Sequence, residues 1–474
     1  RDLHLSIRRQ RQMCIRDRYL NLSSDFIFDQ NELRTFELKL SEKNLNKIDN
    51  DPTAEQYVEG MMIFEGDTIS PIGIRYKGSV GAWVGCVDGD IWFEPSGRKI
   101  CTKLSTKVKI NWKGRDERFY GLKKLQFHAQ NLDPTLMRER LGYWLFRSMG
   151  VEAPRSVHAR LVINGEFIGL YALTEQIDGA FTDYHFDDKD GNLYKEVWPL
   201  KMNGESMDSQ SLINALKTNE DDKPSTDIMS GFADKLYNGK ESDIPNIISE
   251  YMDINKVLSL VVVDRAIRHD DGFLHWYCEQ DDCVSHNFYW YEEPNNKKVN
   301  LIPWDLDNAF ENIIYDANPV TPIADRWGQI SNNCNPFPYG DFGLYQWSAS
   351  CDRLTGGWAM HKELYQELIA WRGALQLAGL NTPWVFPSLG QRSMGSQMTG
   401  KAINEAVRRL GHAIGIKIST HYLRHTAITL ALEMGEPLQK VQAYARHASA
   451  NTTVRYFHDQ QLLEKNPTDS LPAL

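Results

Sequence analysis

The stretch "HNFYWYEEPNNKKVNLIPWDLDNAF", residues 286–310, decides how the chain is read. Two apolar runs flank the turn residues "EPNN", so the segment predicts a β-hairpin. Its second strand runs into "WDLD" and brings Asp305 and Asp307 together on one side of the chain. Two close carboxylates repel each other unless a cation stands between them. A hard divalent ion with oxygen ligands suits such a pair. Trp304 and the aromatics of "NFYWY" are expected in the core.

Upstream, "HDDGF" (269–273) offers Asp270 and Asp271, and "HNFYWY" offers Asn287. An Asp, then an Asn, then a strand-end Asp is the order in which protein kinases supply a catalytic base and two metal ligands. Taken alone, "DLDN" also suits a calcium loop, a helix N-cap or the strand end of haloacid-dehalogenase phosphatases. That last motif belongs near the start of a βα domain, not this far along a chain.

The surrounding segments read as mixed α+β. "GMMIFEGDTISPIGIRYKGS" (60–79) predicts a hairpin. "STKVKINW" (105–112) alternates strictly, with Lys107 and Lys109 on one face and Val108 and Ile110 on the other. "DPTLMRERLGYWLFRSMG" (133–150) predicts a helix with Asp133 as N-cap, Pro134 in the first turn and Gly150 at its end. "ARLVINGEFIGLYALTEQI" (159–177) predicts a hairpin turning at Asn164 and Gly165. "KVLSLVVVDRAIRHDDG" (256–272) reads as a buried helix.

Residues of about 24–365 resemble the spore-coat-protein-H (CotH) kinase family, whose fold is an atypical protein-kinase-like one. The motifs are "IRYKGSVGAW", "STKVKINW", "GLKKLQFHAQNLDPTLMRERLGYWLFRSMGVEAPRS", "LVINGEFIGLYALTEQID", "HDDGF", "HNFYWY" and "IPWDLDNAF". The resemblance implies an ATP- and Mg²⁺-dependent phosphotransferase with a protein Ser or Thr as acceptor. It implies Asp271 as the catalytic Asp, Asn287 and Asp305 as Mg²⁺ ligands, and Asp307 as a second acid. Lys109, or Lys107 on the same face, would contact phosphates, with Glu139 orienting that lysine. Gly78 and Ser79 belong to the glycine-containing turn, and Glu175 and Gln176 fall where a hinge would meet adenine. Three departures stand out. "YKGS" is poor in glycine, "LHWYCEQDDCVS" lengthens the Asp271–Asn287 interval, and the segment after "CDRLTGGW" stops early.

The C-terminal part differs. "TGKAINEAVRRLGHAIGIKI", "HYLRHTAITLALEMG" and "PLQKVQAYARHAS" read as helices. His421 and Arg424 in "HYLR", His447 in "ARH" and Tyr456 in "VRYFH" resemble the C-terminal half of the tyrosine recombinase (phage integrase) catalytic domain. Arg424 and the two histidines would neutralise a scissile phosphate, and Tyr456 would attack it. DNA is the implied partner. A second "TGLR"-like arginine segment is not seen between 366 and 420. The expected organisation is a leader (1–18), a CotH kinase-like body (19–365) and a small all-α recombinase fragment (366–474).

Charge supports that division. The net charge is −10, yet residues 371–474 hold eleven basic against six acidic side chains, and residues 1–18 hold six against two. The acidic body and the basic end suggest modules with different partners. The leader "RDLHLSIRRQRQMCIRDR" has no usable period and resembles a translated sequencing adapter. The join near 360–371 is expected to be an assembly chimera rather than a native fusion. Hydrophobic content of 42% is enough for real cores. No run of eighteen apolar residues occurs, so no membrane partner is expected. Six of the seven cysteines form three close pairs, Cys86/Cys101, Cys278/Cys283 and Cys334/Cys351, which fit disulfides of an exported domain. The recombinase fragment would instead be cytoplasmic.

Overall fold

The computed structural model describes residues 23–360 and 438–444, except 84, 90, 92–93, 221–223, 270, 280–281, 311–333 and 340–343. The chain divides into two compact units, 1–365 and 366–474. In the second, the described part is the helix Leu438–Tyr444, with Val441 buried. The expected all-α tail and Tyr456, His421, Arg424 and His447 lie outside the described residues, as do Asp270 and the 1–18 leader.

The first unit is mixed α and β. Seven strands close into a barrel: β1 (Arg34–Leu40), β2 (Val58–Phe64), β3 (Asp67–Tyr76), β4 (Thr106–Lys109), β5 (Lys124–His128), β6 (Ser156–Ile163) and β7 (Glu166–Thr174). Their order is β1-β2-β3-β4-β5-β7-β6, and β6 pairs parallel with β1 to complete the ring. Alternation sends Phe36, Leu38, Met62, Phe64, Ile74, Val108, Phe127, Leu161 and Tyr171 inward, where they are almost fully buried. Arg75, Lys107, Gln126 and Thr174 lie opposite one another across β3, β4, β5 and β7. Both expected hairpins of this region form, the second turning at Asn164 and Gly165.

The rest of the unit carries the strand end. β11 (Phe288–Glu293) and β12 (Lys298–Pro303) form the expected hairpin, and β8 (Leu193–Lys195) extends it. A second sheet contains β9 (His275–Glu279), β10 (Asp282–Ser285), β13 (Phe337–Tyr339) and β14 (Leu344–Ser348), in the order β10-β9-β14-β13. The long insertion between Asp271 and Asn287 is therefore a hairpin, β9–β10. Trp198 packs edge-on or tilted against Trp276, Phe288, Trp290 and Trp358, which joins both sheets to the helix Arg353–Met360. The helix Ile254–Ala266 is capped by Asp253 and buries Val257, Leu260, Val261 and Val263.

One helix starts later than its sequence predicts. It spans Arg138–Ser148, not 133 onward. The Asp133 carboxylate accepts from the backbone N–H groups of Thr135 and Arg138, closing a turn ahead of the helix. Leu136 is left-handed (φ 54°), which no helix interior permits.

All three cysteine pairs are disulfides, with Cα separations of 4.5, 3.9 and 5.8 Å. Replacing Cys86/Cys101 or Cys334/Cys351 by Ser is expected to cost about 3 kcal/mol each in urea unfolding. Cys278/Cys283 closes a much shorter loop, five residues apart, and should cost about 2 kcal/mol. A larger loss for the short loop would contradict the loop-entropy account. Among the described residues, no helix is long and apolar enough to cross a membrane.

Glu292 on β11 supplies a pH test of the fold. It is 3% exposed, and Asn192 donates to it at 2.5 Å. Burial pushes its carboxyl up to about 7, against the hydrogen bonds from Tyr194 and Asn192. An acid raised in the folded state contributes stability below its unfolded pKa and loses it as pH rises through the folded one. Stability should therefore decline from pH 5 to pH 8. Glu292→Gln should flatten that decline and be the more stable protein at pH 8, by up to roughly 3 kcal/mol. Parallel slopes for both proteins in urea titrations would exclude Glu292 as the cause.

Candidate active site

The strand end after β12 is pinned from several sides. The Trp304 N–H donates to the Asn287 carbonyl at 3.0 Å. Asp305 is left-handed (φ 55°), a conformation that persists only where its surroundings over-determine it. Its N–H donates to the Tyr143 hydroxyl oxygen at 3.0 Å, and its carbonyl accepts from His269 Nε2 at 2.9 Å. The Asp307 carbonyl accepts from Arg138 at 2.7 Å. The Asp307 carboxyl stands close enough to Asp305 to feel its charge. Desolvation raises both pKa values. Asp307 stands well above the usual carboxylate range, because the charges of Asp305, Glu139 and Asp271 add to the burial. For Asp305, Lys77 opposes the rise.

Asp271 is half-buried, with about 24% of its side chain accessible. It accepts from His286 Nε2 (2.8 Å), the Tyr277 hydroxyl (3.2 Å), Asn287 Nδ2 (3.1 Å) and Asn308 Nδ2 (3.2 Å). Burial alone would raise its pKa. The His286 hydrogen bond and charge, with His269 and Asn308, outweigh that and hold it below the ordinary value. Tyr277 belongs to β9 and His286 follows β10, so the disulfide-tied insertion supplies two of the four donors.

The outer face of the barrel brings in basic groups. Lys77, one residue past β3, lies with Nζ 2.8 Å from His128 Nε2. His128 Nδ1 is 2.7 and 2.8 Å from the two Glu139 oxygens, and the Thr174 hydroxyl donates to Glu139 at 2.6 Å. Burial lowers the Lys77 pKa, while Asp305 and Glu139 hold it up. Lys107 is pushed down to about 7 by burial and by Lys77, Lys124 and Arg75. Gln126, opposite Lys107 and 2% exposed, has an Nε2 with no partner among the described residues.

The structure adds a lysine that the sequence reading did not name. The amine linked to Glu139, and felt by Asp305, is that of Lys77. Lys107 stands beside it, and Lys109 lies one pair further along the same face, opposite Gly73 and Lys124. Lys77 is the lysine of the "YKGS" turn. Two other assignments are narrowed. The Glu175 N–H donates to the Arg155 carbonyl at 2.8 Å, and its carboxylate pairs with Arg155 and His185. The Gly78 N–H donates to Glu55 at 3.0 Å, and the Ser79 carbonyl accepts from Ala82. Gln176 keeps a buried Oε1 without a partner among the described residues. The sequence reading also missed His128, Tyr277, His286 and Asn308. His128 alone carried a usable signal, since it shares the outward face of β5 with Gln126.

Among the described residues, no three His, Cys, Asp or Glu side chains gather closely enough to hold a metal ion by themselves.

The CotH kinase protein family model matches residues 74–342, more than half of the chain, and the phage integrase family model matches residues 357–462. The chain is 24% identical to inner spore coat protein H of Bacillus subtilis over 199 residues, 40% of this chain and 50% of that one. It is 36% identical to a tyrosine recombinase of Synechococcus elongatus over 93 residues, 19% of this chain and 29% of that one. The tyrosine recombinase XerD of Caulobacter vibrioides is 35% identical over 81 residues, 16% of this chain and 26% of that one. The chain thus spans half or less of the length of these curated relatives. On the match over 74–342, this chain belongs to the CotH kinase protein family.

Proposed function

We propose that residues 19–365 form a kinase-like, ATP- and Mg²⁺-dependent phosphotransferase whose acceptor is a protein Ser or Thr hydroxyl. One observation carries this reading. The barrel-face Lys77, bridged through His128 to Glu139, feels the charge of a strand end whose Asp305 is fixed by Tyr143 and His269 and whose Asp307 carboxyl lies close behind it. Each side is electrostatically uncompensated alone. A polyphosphate with a hard cation supplies both missing charges.

The residues fit that cation. Asp305, Asp307 and Asn287 offer oxygen donors, and Mg²⁺ is commonly held by one or two carboxylates together with substrate phosphates rather than by an all-protein cage. Such an ion, held by Asp305, Asp307 and Asn287, would offset charge developing on the phosphate oxygens. Lys77 and Lys107 would neutralise the phosphates from the barrel side. Gln126, opposite Lys107, would add its unpartnered Nε2 donor. Asp271, ionised and held by four donors, is a weak base but a fixed acceptor. It would align the incoming hydroxyl and take its proton late, as a loose phosphoryl-transfer transition state allows. Gln176 would face the base.

The three disulfides and the spore-coat relative support an exported or surface-located body. The match over 357–462 supports a recombinase remnant, which we read as inactive. The runner-up is a site-specific DNA recombinase with a CotH-like passenger. A catalytically dead coat protein is the third reading. The test incubates the full chain with radiolabelled Mg²⁺-ATP and a generic protein acceptor. Transfer to Ser or Thr that vanishes in Asp271→Ala supports the proposal. Nucleotide binding without any transfer favours the dead coat protein.

A further inference from the structure

We propose that His128 is a positioning residue that carries the hold of Glu139 to Lys77. This rests on the phosphotransferase reading above. Glu139 and Lys77 do not pair directly; an imidazole stands between them. His128 is 5% exposed, so its ring nitrogens are satisfied by these two partners rather than by bulk water. Nδ1 faces two carboxylate oxygens and must carry the proton. Nε2 is then an acceptor, and the Lys77 ammonium can donate to it. Glu139 is itself fixed by the Thr174 hydroxyl and by its place in the helix Arg138–Ser148.

The ring changes what the lysine can do. A direct pair would draw the amine onto the carboxylate. The interposed imidazole holds it farther out, within reach of the Asp305 charge, and uses one of its three N–H donors. Two donors remain for the cleft. Trp304 links this bridge to the acidic strand end. Its ring meets His128 edge-on at 5.6 Å and lies 5.6 Å from Lys77 Nζ, and the next residue is Asp305.

The test is a double-mutant cycle read by calorimetric titration of the full chain with Mg²⁺-ATP. His128→Ala should weaken affinity about tenfold, as loss of a charge-assisted hydrogen bond does. His128→Gln, whose amide can reach where Nε2 stood, should recover most of that. In a Lys77→Met background, His128→Ala should cost nothing further. Equal losses in both backgrounds, or no loss with Lys77 intact, overturn the proposal. Nitrogen-15 NMR of the wild-type histidines needs no variant. His128 should carry its proton on Nδ1, and a proton on Nε2 alone overturns the bridge. A wild-type chain that binds no Mg²⁺-ATP overturns the phosphotransferase reading instead, and the tautomer then decides the bridge.

Discussion

Asp305→Ala is expected to abolish Mg²⁺-dependent nucleotide binding, a loss of at least about a thousandfold in affinity, since a bound metal ion supplies several kcal/mol of charge stabilisation. Asp307→Asn should weaken binding only about tenfold, the loss of one charge-assisted contact. The two differ because their surroundings differ. Asp305 answers to Lys77 across the cleft and is locked by Tyr143 and His269 through its backbone. Asp307 stands well above the usual carboxylate range, with Asp305, Glu139 and Asp271 all acting against its charge. Replacing Asp307 by Asn therefore removes a charge that its surroundings already disfavour. Calorimetry with Mg²⁺-ATP separates the variants. Unchanged affinity in Asp305→Ala would falsify the metal assignment, and a larger loss in Asp307→Asn would reverse the two roles.

Much of the site was legible because it is local. The "EPNN" and "NG" turns and period-two alternation announce three hairpins, and "IPWDLD" announces a strand running into carboxylates. What escaped depends on pairing across long distances. Barrel closure needs β1 to meet β6, with Arg34 opposite Ala159. Nothing local encodes that contact. The same holds for Lys77, which looked like part of a turn. Only the β3–β4–β5 register brings it beside His128, 51 residues away. The lysines that alternation did single out, Lys107 and Lys109, share its face but not its partner. The late helix start has a different cause. Asp133 is a capping residue by type, but its carboxylate closes a turn that ends where the helix begins.

A suicide DNA substrate is expected to yield no covalent adduct through Tyr456. His421, Arg424, His447 and Tyr456 all fall within the phage integrase family match, which spans residues 357–462. The Synechococcus relative is matched over only 29% of its length. In this family the second phosphate-binding arginine lies well upstream. Here the upstream sequence through residue 342 matches the CotH kinase protein family instead. A pentavalent phosphorane carries about two negative charges, and one missing charge-assisted clamp costs several kcal/mol. The rate penalty is then on the order of a thousandfold or more. The phosphate contacts that fix a protein's register on the duplex would come from the unmatched part of the relatives, so specific binding should fail before chemistry does. The comparison is the full chain against Tyr456→Phe on denaturing gels with a nicked substrate. An adduct that forms with Tyr456 and disappears with Phe would overturn the inactive-remnant reading and restore the recombinase alternative. Identical lanes would support the inactive-remnant reading.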